Sequence, residues 1–149
     1  MNLKERFNLV VRNTQEVITE SELRILLEEK KSPSAYWGTA PTGRVHIGYL
    51  IPVLKISDFL KAGFKFKILI ADLHAHLDDQ KTPWSLLDAR SIYYQEIITA
   101  LFEALDVDYS KLLFVRGKDF QTNSEYIIDV LRRGKFVYFE SCGFLSVLF

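Results

Sequence analysis

The sequence predicts an α/β fold, a parallel sheet with flanking helices, preceded by N-terminal helices. Three observations carry that expectation. Apolar runs of strand length alternate with longer segments of helical period, in the order strand, helix, strand, helix, strand, helix. Capping or turn-forming residues mark most of the switches between them. The 149 residues, 48% hydrophobic and 26% charged, suit one globular domain with a sizeable core.

Met1 to Arg12 reads as a helix with Leu3, Phe7, Val10 and Val11 on one side. Thr19 and Glu22 have capping-box spacing and open a second helix through about Lys30, with Leu23, Leu26 and Leu27 inward. Pro33 ends it. Ala35 to Thr39 reads as a buried strand running into the turn-rich loop Ala40-Pro41-Thr42-Gly43-Arg44. Helical period returns from His46 to Ala62 through Ile47, Leu50, Ile51, Leu54 and Phe59, and Gly63 suits the C′ position. Pro52 fits that helix only near its first turns, where a lost N–H matters least.

Phe64 to Ala71 is a strand rich in Phe, Ile and Leu, with Lys65 and Lys67 alternating onto an exposed face. Thr82-Pro83 reads as an N-cap followed by Pro at N1, opening a long helix to about Leu105. Its Trp84, Leu87, Ile92, Ile97 and Leu101 have core-like spacing. Leu112 to Arg116 is another strand, and Thr122 with Glu125 repeats the capping-box spacing for a helix through about Leu131. The expected division is residues 1–34 as N-terminal helices, 35–131 as the α/β unit, and 132–149 as a divergent tail.

Nineteen basic and 19 acidic side chains cancel, so no basic excess marks a stand-alone nucleic-acid binder. Any RNA contact is then local or rests on residues outside these. Cys142 is the single cysteine, which excludes a disulfide framework and a thiolate zinc site. No apolar run reaches the roughly 18 residues of a membrane span. A soluble, cytoplasmic protein is the expectation, with no membrane partner.

In such sheets ligands sit at the carboxyl ends of the strands, which brings Tyr36 to Gly48 and Ala71 to His76 to one site. Gly38, Thr39, Ala40, Thr42 and Gly43 are small enough to let a ligand approach the backbone. The helix that follows offers free N–H groups and partial positive charge to a phosphate, and His46 adds a donor at its start. A nucleoside triphosphate suits this junction. The loop is neither a P-loop nor a dinucleotide fingerprint, and a Gly-containing turn before a first helix is common in α/β proteins. The second segment, Asp72-Leu73-His74-Ala75-His76-Leu77-Asp78-Asp79, contains a His-x-His pair of the kind zinc hydrolases use. That chemistry needs further histidines and a longer barrel, and the third histidine, His46, lies in the other loop. No protein-bound metal is expected; His74 is expected to face the site, while His76, Asp78 and Asp79 are assigned to a solvated loop.

The whole string is more specific than its parts. Pro41-Thr42-Gly43-x-x-His46-Ile47-Gly48 resembles the signature of class I aminoacyl-tRNA synthetases, whose hallmark is His-Ile-Gly-His; Tyr49 takes the fourth place here. Tyr36-Trp37-Gly38-Thr39-Ala40, Ile56 to Gly63, Ala71-Asp72-Leu73-His74-Ala75 and Phe120-Gln121 with Tyr126 are similar to the tyrosyl-tRNA synthetases of archaeal and eukaryotic cytoplasmic type. The resemblance covers roughly residues 3–131.

The resemblance implies an incomplete Rossmann-like sheet, with 35–131 as the N-terminal half of a catalytic domain. It implies ATP-dependent activation of tyrosine to tyrosyl-adenylate and transfer to tRNA(Tyr). ATP, with Mg2+, would be held by Gly38, Thr39, Pro41, Thr42, Gly43, His46, Gly48 and Tyr49, with His46 as the catalytic residue. Tyrosine would be held by Tyr36, at its phenol, and by Leu69, Ala71, His74 and Gln121.

The Lys-Met-Ser-Lys-Ser signature and the Tyr-x-x-x-Gln-x-x-Asp element of the family do not occur in these residues, so the chain alone is expected not to charge tRNA at a useful rate. Family members are homodimers through an insertion beginning near residue 117, little of which is present to dimerise through. A non-catalytic synthetase fragment with a binding or signalling role is the alternative. The tail from Lys135 to Phe149 is apolar and rich in β-formers, an edge-strand candidate when folded and an aggregation hazard when exposed.

Overall fold

The computed structural model describes residues 1–78 and 82–133, together with the backbone of the short strand 147–148. Element order is α1 (Leu3–Val11), β1 (Glu16–Val17), α2 (Glu20–Glu29), β2 (Ser34–Thr39), a 3-10 turn (Ile47–Tyr49), α3 (Leu50–Lys61), β3 (Lys65–Ile70) and α4 (Asp72–Leu77). A 3-10 turn (Trp84–Leu86), α5 (Leu87–Ala104), β4 (Leu112–Arg116), α6 (Gly117–Gln121), α7 (Ser124–Arg133) and β5 (Val147–Leu148) follow. The three predicted strands are all present, and they pair parallel in the order β2-β3-β4. The rest of the predicted tail, Cys142 included, and Asp79 lie outside the described residues. Val147 and Leu148 pair antiparallel with Val17 and Glu16.

Register fixes which side chains share a face. Tyr36 stands beside Lys67, and Lys67 beside Leu113, while Trp37, Ile68 and Phe114 form the neighbouring row. Phe66, Ile68 and Ile70 are buried with Val53, Ile56 and Phe59 of α3 and Tyr94, Ile98 and Phe102 of α5. Both crossovers step across the sheet in the same direction, so one handedness puts α3 and α5 on one face. The opposite face stays largely open: Tyr36 is 61% exposed, Leu113 54%, and Lys65 and Lys67 are exposed. Among the described residues, α3 and α5 therefore flank the sheet on a single face.

The N-terminal helices close the other side of α3. Phe7, Val10, Leu23 and Leu27 join the core. Arg6 donates to the carbonyls of Ala62, Leu27 and Lys31, tying α1 to the ends of α2 and α3. Arg12 Nε reaches Asp58 at 2.9 Å, and the buried Lys55 donates to the carbonyls of Leu9 and Arg12, satisfying the end of α1.

Local chemistry explains most boundaries and corrects several. Gly63, at φ +92°, closes α3 in a Schellman motif: its N–H reaches Leu60 O, Phe64 N–H reaches Phe59 O, and the Phe59 and Phe64 rings meet at 5.0 Å. Pro52 sits in the first turn of α3, as its missing N–H requires. The capping box expected at Thr19 is not formed; Thr19 is left-handed, and its hydroxyl donates to Ile18 O and Glu22. A complete capping box stands instead at Asn2 and Glu5. Thr122 does not cap α7 either, because its hydroxyl donates back to Lys118 O. Nor does Thr82 cap α5, which opens later, after a 3-10 turn.

The buried face of α5 also differs from the expected one. It is Leu87, Ser91, Tyr94, Ile98 and Phe102, while Trp84 and Ile92 are 61% and 50% exposed. Ser91 and Tyr94 disguise the phase: each is polar, but Ser91 Oγ donates to Leu87 O at 2.7 Å and the Tyr94 ring is apolar. Ile47, Ile51 and Leu54, expected to face inward, are exposed on the first 3-10 turn and α3.

Candidate functional site

The carboxyl ends of the strands form one rim. Thr39 pairs with Ile70 and Ile70 with Arg116, and Ala71 N–H donates to Thr39 O at 2.8 Å. The segments 36–48 and 71–76 therefore meet, as the sequence predicts from sheet geometry.

His46 is the N-cap of the first 3-10 turn, with its Nδ1 accepting Gly48 N–H at 3.2 Å. An accepting Nδ1 puts the proton of the neutral ring on Nε2, an assignment made from the hydrogen bond. The exposed imidazole thus presents a donor at Nε2. A Cβ at Gly48 would lie 2.8 Å from His46 Cε1, so a side chain there displaces the exposed imidazole. Within the segment, Thr42 N–H donates to Ala40 O, Tyr49 N–H to His46 O, and Gly43 N–H to Tyr94 Oη at 3.4 Å. The N–H groups of residues 44–47 find no partner among the described residues, so they, rather than those of Thr42, Gly43, Gly48 and Tyr49, are free to meet an anion.

Tyr49, in the fourth signature place, is the centre of an aromatic cluster. Its ring meets His46, Tyr94 and Trp37 edge-on, with centroids 5.4, 5.7 and 6.2 Å away. Its hydroxyl lies 2.9 Å from Thr39 Oγ1. Burial, reinforced by Tyr94 and opposed by the Thr39 bond, pushes the phenol up to about 12.

Two residues that sequence reasoning gives no part in the site hold the loop from below. Thr82, fully buried, donates its hydroxyl to Pro41 O at 2.7 Å. Arg90 Nη1 donates to Thr42 O at 2.9 Å and to Thr82 Oγ1 at 2.7 Å. No local signal betrays either, because their partners in the loop are some forty residues away.

The residues that the resemblance assigns to the amino acid spread over the open sheet face and its rim. Tyr36 is exposed on β2. Gly38 packs beside Leu69, a Cβ there standing 3.8 Å from Leu69 Cβ, which is ordinary contact. Ala71 follows β3 as the N-cap of α4, and His74 is on the exposed side of α4. Gln121 closes α6, its amide oxygen 2.5 Å from where a Gly117 Cβ would stand. Asp72 joins these pieces. It is fully buried, and its Oδ1 accepts the N–H groups of Leu73 at 2.8 Å and Lys118 at 2.9 Å. Its Oδ2 has no partner among the described residues.

His76 is not the solvated loop residue that sequence suggests. It lies in α4, half-buried, with Nδ1 2.9 Å from Thr82 O and its ring edge-on to Trp84. That bond turns it toward the start of α5.

Comparison with known proteins gives a consistent answer. The family model described as tRNA synthetases class I (W and Y) matches residues 28–141. The chain is 53% identical over 132 residues to a tyrosine--tRNA ligase of Haloarcula marismortui, covering 89% of this chain and 38% of that protein. It is 48% identical over 129 residues to the cytoplasmic tyrosine--tRNA ligase of Gallus gallus, covering 87% and 24%. The chain thus spans well under half the length of the curated relatives it matches. Among solved structures, the tyrosyl-tRNA synthetase of Archaeoglobus fulgidus complexed with L-tyrosine superposes with a TM-score of 0.81 at 35% identity, over 91% of this chain and 41% of that one. The tryptophanyl-tRNA synthetase of Plasmodium falciparum, at 14% identity and a TM-score of 0.70, shares the fold. With the signature junction, the parallel sheet and the family match over most of its length, the chain belongs to the class I tRNA synthetases of the W and Y family.

Proposed function

We propose that these residues are the N-terminal half of a tyrosine--tRNA ligase catalytic domain, acting in the activation of tyrosine by ATP and its transfer to tRNA(Tyr). The support comes first from one observation: the junction 39–49 and the segment 71–76 share a rim, joined by Ala71 N–H on Thr39 O at 2.8 Å. A nucleotide across the first would reach an amino acid beside the second.

In this reading His46, through Nε2–H, and the N–H groups of residues 44–47 bind the phosphates of ATP, which arrives with Mg2+. Gly38, Thr39, Pro41, Thr42, Gly43, Gly48 and Tyr49 shape that site. Tyr36 offers its hydroxyl to the substrate phenol, with Leu69, Ala71, His74 and Gln121 around the amino acid. Preorganised donors at the developing charge, together with orientation, are what the adenylation step needs from the protein. Cytoplasmic relatives from animals and yeast support a cytoplasmic location.

A chimera tests this. Residues 1–131 placed ahead of the remainder of the Haloarcula relative should give tyrosine-dependent ATP–pyrophosphate exchange, and H46A in that chimera should lower it by about 100-fold or more. Exchange driven by another amino acid in preference to tyrosine would sink the substrate assignment. The 149 residues alone should give no useful exchange, because a second phosphate-stabilising signature does not occur in them.

A further inference from the structure

We propose that Arg90 and Thr82 are positioning residues for the nucleotide: they clamp the Pro41–Thr42 backbone and so hold residues 44–47 open toward the phosphates. The inference rests on the nucleotide reading above and names a device within it. The geometry is specific. Thr82 Oγ1 donates to Pro41 O at 2.7 Å, Arg90 Nη1 donates to Thr42 O at 2.9 Å, and the same Nη1 donates to Thr82 Oγ1 at 2.7 Å. One cation therefore fixes the carbonyl of Thr42 and the hydroxyl that fixes the carbonyl of Pro41.

The charge matters. A guanidinium holding neutral oxygens makes stronger bonds than a neutral donor does. Thr82 is completely buried, so its hydroxyl has no water to turn to, and both of its roles, donor and acceptor, are filled. The clamp is also anchored from the far side, because Thr82 O lies 2.9 Å from His76 Nδ1. The consequence lies downstream. With two successive carbonyls held toward α5, Thr42 N–H turns back to Ala40 O and Gly43 N–H to Tyr94 Oη, and the chain leaves this bend into the stretch 44–47. Release of the clamp frees those carbonyls to rotate, and the open arrangement becomes one of several. The apparent affinity for a ligand falls in proportion to the competent fraction.

The experiment places R90A, T82V and T82S in the chimera of residues 1–131 with the remainder of the Haloarcula relative and compares them with the unsubstituted chimera, measuring ATP and tyrosine binding separately by calorimetry. Amide exchange at Thr42 and Gly43, whose N–H groups are bonded to Ala40 O and Tyr94 Oη, is followed in the absence of ligand. Expected is a roughly tenfold loss of ATP affinity in R90A and T82V, as for a competent fraction reduced to about a tenth, with tyrosine affinity unchanged. Exchange at Thr42 and Gly43 rises in the same variants, T82S restores both readings, and the R90A/T82V double variant is no worse than either single one. Where R90A fails to fold, T82V against T82S carries the same comparison. Unchanged exchange at Thr42 and Gly43 in a folded variant overturns the clamp. Equal losses of ATP and tyrosine affinity overturn it too, since they mark general destabilisation. Failure of the unsubstituted chimera to bind ATP overturns the nucleotide reading, and the proposal with it.

Discussion

The hydroxyls of Tyr49 and Thr39 stand 2.9 Å apart, joining the end of the first 3-10 turn to the last residue of β2. The bond spans the whole signature loop, so the loop is closed at both ends before any ligand arrives. Removing the hydroxyl with Y49F should cost about 1 kcal/mol of stability, measured by urea unfolding. It should also raise amide exchange in the loop.

The same phenol gives a pH signature. Its folded value of about 12 exceeds the unfolded value of 10.0, so burial favours the protonated form. The unfolded chain gives up that proton first as pH rises. The contribution is therefore complete below pH 10 and is lost as pH climbs toward about 12. Ultraviolet titration should show a tyrosine ionising late, near that upper value, and absent in Y49F; a spectrum unchanged by Y49F would contradict the assignment.

A side chain at Gly48 meets the His46 ring, since an added Cβ would stand 2.8 and 2.9 Å from two of its atoms. G48A should push the imidazole off its cap, at about 1 kcal/mol in stability. ATP affinity should fall more than tyrosine affinity. Equal effects on the two ligands would show that His46 has no special place at the phosphates.

Asp58 is buried beside Lys55 and Arg12, and the Lys55 ammonium is held below its ordinary value, first by burial. Taking away the carboxylate leaves that cation uncompensated in the core. D58A should destabilise by about 3 kcal/mol, and adding K55M should recover much of the loss. The burial penalty on Lys55 is present at neutral pH and is relieved as pH rises through its lowered folded value toward 10.5, opposite in sign to Tyr49.

Gly63 tests the fold apart from the site. At φ +92°, with Lys31 O 3.3 Å from any added Cβ, G63A should cost about 1–2 kcal/mol. Ligand affinities in the folded fraction should not change.

How much of this is legible in the sequence depends on the reach of each interaction. Leu112 to Arg116 is bounded to the residue, because the strand signal is a short apolar run. Gly63 and Pro52 take the places that sequence predicts, since their constraints lie in their own backbone. The phase of α5 departs from expectation at Trp84 and Ile92, because Ser91 and Tyr94 occupy core positions with their polar atoms satisfied out of sight. Thr82 and Thr122 look like caps by spacing, yet each hydroxyl goes to another carbonyl.

By itself the sequence determined the alternation of strands and helices, the parallel sheet and the family signature, since periodicity and turn chemistry act over a few residues. Tertiary structure alone decided which face of the sheet stays open and what holds the signature loop. Those outcomes rest on contacts such as Thr82 to Pro41 and Arg90 to Thr42, 41 and 48 residues apart, where only the packed chain brings donor to acceptor.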